Sequence, residues 1–165
     1  MTGIVTAIDR GMRTMKYIII GLLAANTAFA SGSVVVKAPK KGSIVVKAST
    51  LKVIYKAAKR FGVDAQILIK IAFIESSFRA DVTQSNGETV DYGMFQINSV
   101  HWSTNCKRFD VFSLKGNALC AAKLLSIAAK HSESDLHWQG RYHSKTPDLK
   151  RAYADKISKV MVVNK

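Results

Sequence analysis

The sequence contains few residues of the kinds that usually reveal a reaction by motif. It has two cysteines, two prolines and four histidines among 165 residues. It contains no glycine-rich phosphate loop, no HExxH and no GxSxG, so no nucleotide, zinc-protease or α/β-hydrolase motif is present. The two cysteines have neither a CxxC spacing nor a histidine at ligand spacing, and we therefore expect no zinc site.

Acidic residues are also scarce. The chain has 11 acidic and 25 basic residues, for a net charge of +14. A strongly basic surface attracts polyanions. In an exported protein the polyanion need not be nucleic acid, because the peptide carboxylates of a cell wall and anionic lipid are alternatives, and we expect no nucleic acid partner. The alternative, that scattered lysines simply keep a small protein soluble, stays open. The length predicts one domain, which we expect to be monomeric.

The first 30 residues predict a secretory signal peptide. Three basic residues precede an apolar run at Tyr17–Ala25, and Ala28–Ala30 fits a small-residue cleavage site. The run is short for a membrane span, although an uncleaved anchor is the alternative. Cleavage would leave 22 basic and 10 acidic residues, a net charge of +12. The pattern predicts an exported protein, either periplasmic or secreted.

Residues 31–49 repeat a short pattern of apolar and basic residues. Ser33–Ala38 is echoed by Ser43–Ala48, with Pro39–Gly42 between them. Two β-branched runs around such a turn fit either a hairpin or an extended basic arm. Because a lone two-stranded hairpin is marginal in water, we expect a weakly ordered arm. A secretion, conjugation or phage apparatus is a candidate partner for it.

Helical periodicity begins at about residue 49. Ser49 or Thr50 is expected to cap a first helix that ends at Gly62. Asp64 is expected to cap a second helix over residues 65–76. This second helix is apolar on nearly all sides, which predicts a position in the middle of the core.

The rest of the chain predicts one small β element followed by more helices. Asn86–Gly87 is a strong turn signal beside a possible strand at residues 89–92. Helices are expected at about 117–130 and 135–142, and Thr146–Pro147 starts the last one. The fold class predicted by these patterns is mostly α with a small β-hairpin.

Glu75 is a candidate general acid on physical grounds. It lies at the C-terminal end of the most apolar helix. Burial disfavours the charged carboxylate and raises its pKa, and the negative end of the helix dipole acts in the same direction. A carboxyl group that stays protonated near neutral pH can protonate a glycosidic oxygen. The alternative is a glutamate that faces solvent at a helix end.

Four motifs in order resemble the lysozyme superfamily. They are Phe73–Arg79, Ser85–Ser99, Asn117–Leu125 and Gly140–Ser144. The chain looks most similar to soluble lytic transglycosylase domains, especially the small ones associated with secretion and conjugation systems. Their Gly-Leu-Met-Gln motif has Met94 and Phe95 in place of Leu and Met here. The resemblance implies a lysozyme-like α+β domain over residues 50–165, with the hairpin beside an active-site groove.

The resemblance also implies roles for individual residues. Glu75 corresponds to the catalytic acid and base, and Tyr142 to a tyrosine whose hydroxyl points towards it. Gln96 and Asn98 correspond to residues that line the groove and hydrogen-bond the glycan. Ser85 matches a serine that contacts the acetamido group of the substrate.

Asp91 has two interpretations. The run Asp91–Ser99 also resembles animal-type lysozymes, in which an aspartate at this place is the second carboxylate. If it is ionised and close to Glu75, it stabilises an oxocarbenium-like state or acts as nucleophile. The alternative is a turn residue that bonds the hairpin backbone. Trp102 follows this segment and is a further candidate for the rim of the groove.

Cys106 and Cys120 predict a disulfide. Both follow the signal segment, and an even pair in an oxidising compartment usually pairs. The bridge would close a loop of about 15 residues, worth about 3 kcal/mol in the chain-entropy account. Two free, buried thiols are the alternative.

The resemblance implies cleavage of peptidoglycan between N-acetylmuramic acid and N-acetylglucosamine, with a 1,6-anhydro product and with no metal or organic cofactor. One alternative is a hydrolysing muramidase that uses Glu75 and Asp91. Another is a non-catalytic protein that binds the wall during assembly of an apparatus.

Overall fold

The computed structural model describes residues 32–130 and 135–165, and the predicted signal peptide lies outside them. The helices are α1 (Ala48–Phe61), α2 (Ala65–Ser76), α3 (Leu114–Lys130) and α4 (Pro147–Ser158). The strands are β1 (Val34–Ala38), β2 (Gly42–Val46), β3 (Thr83–Asn86), β4 (Thr89–Tyr92), β5 (Ile97–Asn98) and β6 (Met161–Asn164). Short 3₁₀ turns lie at Ser99–His101 and Trp138–Tyr142. The predicted mostly helical class is confirmed.

Helix α2 is the central helix of the core. Asp64 caps it as predicted, because its carboxylate accepts a hydrogen bond from the backbone N–H of Gln66 at 2.8 Å. Its fully buried side chains include Leu68, Ile69, Ile71 and Phe73. At the other end Ser77 adopts a left-handed conformation with φ 56°. The helix therefore ends directly after Glu75 and Ser76, at the boundary of the core.

The predicted caps of α1 are correct at one end only. The helix begins at Ala48, and the side chain of the preceding Lys47 makes no capping bond. Ser49 and Thr50 lie inside the first turn, so the predicted N-terminal cap is wrong. Gly62 ends the helix as predicted, with a left-handed φ of 63°.

The expectation of a weakly ordered N-terminal arm is wrong. Strand β1 pairs antiparallel with β2 on one side and with β6 on the other. We call these three strands the terminal sheet, with strand order β2-β1-β6. Val34, Val36 and Val46 are buried in the core. The third strand and the buried face provide the stability that a lone hairpin lacks.

Strands β3, β4 and β5 form a second antiparallel sheet, which we call the groove sheet. The predicted turn lies between β3 and β4, and its Gly87 has a φ of 71°. The register places Gln84 opposite Asp91, and Asp91 opposite Asn98. Three polar side chains thus form one row across the sheet, because directly paired residues point to the same face.

Helix α3 anchors the loop after the groove sheet. The side-chain oxygen of the buried Asn117 accepts from the backbone N–H of Phe95 at 2.9 Å, and its nitrogen donates to the Tyr92 carbonyl at 2.9 Å. Gly93 has a φ of 80°, and an added Cβ would lie 2.5 Å from Asn117. This close approach leaves space only for glycine.

The predicted disulfide is confirmed. Cys106 and Cys120 are bonded, with their Cα atoms 5.3 Å apart, and both are fully buried. The bridge joins the loop before α3 to the middle of that helix. Across residues 32–130 and 135–165, no helix has the length and apolar character needed to cross a membrane.

Candidate active site

A cavity of about 500 Å³ opens between the end of α2, the groove sheet and the 3₁₀ turn at Trp138–Tyr142. Five of the residues predicted from the sequence line it: Glu75, Asp91, Gln96, Asn98 and Tyr142. Gln84, Asn86, His101 and His143 also line it. The fold thus brings together residues that are up to 68 positions apart in sequence, from Glu75 to His143.

Two hydrogen bonds position Glu75 at the wall of this cavity. The hydroxyl of the neighbouring Ser76 donates to the Met94 carbonyl at 2.8 Å, which fixes the end of α2 against the loop of the groove sheet. The hydroxyl of Tyr153, on α4, donates directly to Oε1 of Glu75. The first bond fixes the backbone next to Glu75, and the second holds its carboxyl group from α4.

The environment raises the pKa of Glu75 above its ordinary value. Burial is the main cause, because it penalises the charged form. The hydrogen bond from Tyr153 lowers the pKa, the negative charge of Asp91 raises it, and the positive charges of Lys41 and Lys156 lower it. The direction agrees with the sequence prediction and suits a general acid.

Tyr142 lines the same cavity as Glu75 but is not its hydrogen-bond donor. Its hydroxyl donates to the Phe95 carbonyl at 2.8 Å, and Tyr153 is the tyrosine that donates to Glu75. Burial, followed by the charge of Glu75, raises the pKa of both tyrosines well above its ordinary value. Both hydroxyls therefore remain protonated donors.

Tyr153 lies on the buried face of α4 and belongs to none of the four motifs that carry the resemblance. A buried tyrosine hydroxyl needs a hydrogen-bond partner, which is the signal that could have drawn attention to it. The imidazole of His143 stacks on its ring, with centroids 4.8 Å apart and planes at 8°. The stacking fixes the ring beside the cavity.

Asp91 lies in strand β4, not in a turn, and it lines the cavity. Its Oδ1 accepts from Nδ2 of Asn98 at 2.8 Å, and its Oδ2 accepts from Nδ2 of Asn86. These partners are side chains rather than the hairpin backbone, which favours the interpretation of Asp91 as a groove residue. Its charge acts on Glu75 across the cavity.

Gln96 is held in an unusual backbone conformation. Its φ is 46°, a left-handed value that is uncommon for residues other than glycine. Its Nε2 donates to the carbonyls of Gly93, at 2.8 Å, and Val82, at 3.0 Å. The side chain thus closes the loop after the groove sheet, in addition to lining the cavity.

Asn98 is bonded at both ends of its amide. Its Nδ2 donates to Oγ1 of Thr89 at 3.0 Å and to Oδ1 of Asp91 at 2.8 Å. Its Oδ1 accepts from the backbone N–H of Val100 at 3.1 Å. The contacts made by Asn98 therefore serve to orient Asp91.

Ser85 does not line the cavity. It lies on β3 between Gln84 and Asn86, both of which line the cavity. Because successive strand residues point to opposite faces, Ser85 points away. The structure therefore does not bring Ser85 together with the other predicted residues in the cavity. Asn86, which the sequence suggested only as a turn residue, lies on the cavity side instead.

Trp102 is a packing residue. Its Nε1 donates to the Ile97 carbonyl at 3.1 Å, and its ring meets the Phe112 ring edge-on at 5.0 Å. It is absent from the lining of the cavity, so the structure does not bring it together with the other predicted residues. Among the described residues, no group of three histidine, cysteine, aspartate or glutamate side chains could hold a metal ion.

A buried helix that ends in a glutamate of raised pKa, opposite a small sheet with an aspartate, defines a lysozyme-like protein. The model of the transglycosylase SLT domain family matches residues 52–143, more than half of the chain. The chain belongs to this family, whose enzymes cleave glycan strands of peptidoglycan, and an enzyme with that substrate acts outside the cytoplasm. No curated protein and no solved structure matches the chain.

The matched range divides the site in two. Glu75, Asp91 and Tyr142 fall inside residues 52–143, whereas Lys41 and Tyr153 fall outside them. The groups that act on the Glu75 carboxyl from the terminal sheet and from α4 are therefore not part of the matched segment.

Proposed function

We propose that this protein is a lytic transglycosylase that cleaves the β-1,4 bond between N-acetylmuramic acid and N-acetylglucosamine and leaves 1,6-anhydromuramyl ends. The observation that carries the proposal is the half-buried Glu75, which lines a polar cavity and has a raised pKa. Family membership supplies the substrate class.

In the first step Glu75 donates its proton to the glycosidic oxygen, and the bond between that oxygen and C1 of the muramyl residue breaks. Tyr153 occupies Oε1 of Glu75, so Oε2 is the oxygen that delivers the proton. The ring that remains has oxocarbenium character and carries positive charge. The carboxylate of Asp91, held by two asparagine amides, stabilises that charge.

In the second step the Glu75 carboxylate removes the proton from the muramyl 6-hydroxyl. The 6-oxygen attacks C1, which closes the anhydro ring and restores the acid form of Glu75. Atoms balance without water. The hydrogen bond from Tyr153 favours the ionised carboxylate between the two steps.

A hydrolysing muramidase is the second candidate, because Asp91 faces the same cavity as Glu75. Both oxygens of Asp91 accept hydrogen bonds from asparagine side chains. Such bonds restrain a carboxylate and reduce its nucleophilicity, so they favour electrostatic stabilisation over covalent attack. Because these bonds favour electrostatic stabilisation by Asp91 over covalent attack, we propose the lytic route first.

Mass spectrometry of purified peptidoglycan after digestion tests the proposal. We expect anhydromuramyl ends from the unmodified protein, and a loss of about 10²- to 10⁴-fold in rate for Glu75→Gln, which removes the acid but keeps the shape. Glu88→Gln is the matched control, because Glu88 is exposed near the β3–β4 turn and does not line the cavity.

Other digestion results would support one of the alternative functions. Ordinary reducing ends would reject the lytic route and assign Asp91 to the hydrolytic chemistry. No cleavage by a folded protein would reject catalysis and favour a wall-binding assembly protein. Export by the first 30 residues is part of the same proposal, and N-terminal sequencing of protein recovered outside the cytoplasm tests it, with Ser31 as the expected first residue.

A further inference from the structure

Lys41 connects the terminal sheet to the helix that carries the proposed acid. It lies in the turn between β1 and β2, and its Nζ donates to the carbonyls of Phe73 and Ile74, each at 2.6 Å. The same Nζ lies 5.2 Å from the centroid of the Phe73 ring. These two carbonyls belong to the last turn of α2 and directly precede Glu75.

The Phe73 carbonyl also accepts from the backbone N–H of Ser77 at 3.1 Å, and Lys41 adds a charged donor to this last turn of α2. The final carbonyls of a helix have no intrahelical donors, and together they form the negative end of the helix dipole. Many helices place a basic residue in this turn, but α2 has none there. Lys41 supplies the missing cation from a segment distant in sequence.

The charge of Lys41 also acts on the Glu75 carboxyl. The titratable and charged groups around this carboxyl and around Lys41 come from several elements: Lys41, Arg79, Asp91, Tyr142, Tyr153 and Lys156. Burial and Asp91 raise the pKa of Glu75, whereas Lys41 lowers it. In the proposed lytic route Glu75 is first an acid and then a base, which requires a pKa close to the operating pH.

We propose that Lys41 is a positioning residue that holds the C-terminal turn of α2 and keeps the Glu75 carboxyl poised for both proton transfers. The inference rests on the proposed function for its kinetic consequence. Lys41 lies outside residues 52–143, so the matched segment of the family does not include this support. The terminal sheet is then part of the catalytic apparatus as well as of the core.

NMR titration tests the electrostatic half without any need for turnover. The chain has only three glutamates, Glu75, Glu88 and Glu133, so labelling glutamate with ¹³C at the carboxyl carbon gives three signals. Glu75→Gln identifies the Glu75 signal. In Lys41→Met the Glu75 midpoint should move to higher pH, because a stabilising positive charge is lost.

Three further variants separate the contributions of Lys41. Lys40→Met is the matched control, since Lys40 is an exposed lysine in the same turn, and it should leave the midpoint unchanged. Lys41→Arg keeps the charge and should restore the midpoint. Lys41→Gln keeps a donor without a charge, and it provides a second neutral variant if Lys41→Met unfolds, which circular dichroism melting would reveal.

Kinetics on soluble glycan fragments tests the catalytic half. Activity falls as pH rises through the pKa of the acid, so the alkaline limb of kcat should move to higher pH in Lys41→Met and stay in place in Lys40→Met. In Lys41→Met we expect kcat near neutral pH to fall about tenfold. This loss is smaller than the roughly hundredfold loss that a 1 Å displacement of a reacting group causes.

The change in the Glu75 midpoint caused by Lys41→Met should become smaller when salt rises from about 0.01 M to about 1 M. At the higher salt concentration the screening length falls from roughly 30 Å to roughly 3 Å. A Glu75 midpoint and an alkaline limb that are unchanged in folded Lys41→Met would overturn the inference. An inactive unmodified protein would contradict the proposed function instead, since the NMR titration reads the effect of Lys41 on Glu75 without substrate.

Discussion

The two small sheets of this domain contribute to the candidate site in opposite ways. The groove sheet is polar and half-exposed, and it turns a row of Gln84, Asp91 and Asn98 towards the site. The terminal sheet buries Val34 and Val36, and the turn between β1 and β2 contacts the end of α2 through Lys41. One sheet provides groups that face the substrate, and the other supports the helix that carries the acid.

This division predicts opposite electrostatic effects from the two sheets. Asp91 raises the pKa of Glu75 and Lys41 lowers it, so each sheet adjusts the same carboxyl from its own side. A substitution in the groove sheet should therefore alter both chemistry and pH dependence. A substitution in the core of the terminal sheet should alter stability first.

Among substitutions in the two sheets, the largest effect is expected for Asp91→Asn. Removal of the carboxylate that stabilises the oxocarbenium-like state should lower kcat about 100-fold. The alkaline limb should move to lower pH, because loss of a negative charge lowers the pKa of Glu75. Rate profiles on soluble glycan fragments measure both effects.

A control for this experiment is Gln84→Glu, which adds a carboxylate beside Asp91 in the same row. It should move the alkaline limb to higher pH, the opposite direction from Asp91→Asn. If both variants left the limb in place, the groove sheet would not act on Glu75 electrostatically, and the comparison between the sheets would fail.

The next effect concerns the terminal sheet. Val36 is fully buried, whereas Val45 on the neighbouring strand is 53 % exposed. Val36→Ala should lower the free energy of unfolding by about 2 kcal/mol, because it removes buried apolar surface and leaves a cavity. Val45→Ala should change it by less than about 0.5 kcal/mol. Urea unfolding of both variants measures the difference.

Equal stability of the two variants would show that the terminal sheet is not packed on the core. A Val36→Ala protein that kept its stability but lost activity would show that the core of the terminal sheet affects catalysis directly. We expect neither result, because the connection from this sheet to the site passes through Lys41.

The parts of this fold that follow local signals could be predicted from the sequence. Asp64 caps α2 through a bond to a residue two positions away, and α4 begins at Pro147, directly after Thr146, as expected, although the Thr146 side chain makes no capping bond. Asn86–Gly87 forms the turn of the groove sheet, which again depends only on residues close in sequence. Each of these features depends on neighbours within one turn of chain.

The features that could not be predicted depend on contacts between distant segments. Strand β6 is four residues long and has no partner near it in sequence, so nothing local indicates that it pairs with β1. Tyr153 repeats on the apolar face of α4 like any core residue, and only the packing of α4 against α2 brings its hydroxyl to Glu75. In the sequence nothing distinguishes Lys41 from the other lysines, because its role depends on the contact between its turn and α2.

The smallest effect should come from the pair of buried tyrosines. Tyr153→Phe removes the hydrogen bond to Glu75, whereas Tyr142→Phe removes a bond to the Phe95 carbonyl. Both changes delete one hydroxyl, and each should cost about 1 kcal/mol of stability. Only Tyr153→Phe should move the alkaline limb of kcat to higher pH, because that bond lowers the pKa of Glu75, and its kcat should fall about tenfold.

The matched pair decides which tyrosine serves the acid. A limb that moved in Tyr142→Phe and stayed in Tyr153→Phe would restore the role that the resemblance assigns to Tyr142 and would contradict the hydrogen bond from α4. The expected result places the acid under the influence of two segments outside residues 52–143, the turn with Lys41 and the helix with Tyr153. The SLT segment would then carry the acid, while its flanking elements set the pH range in which that acid works.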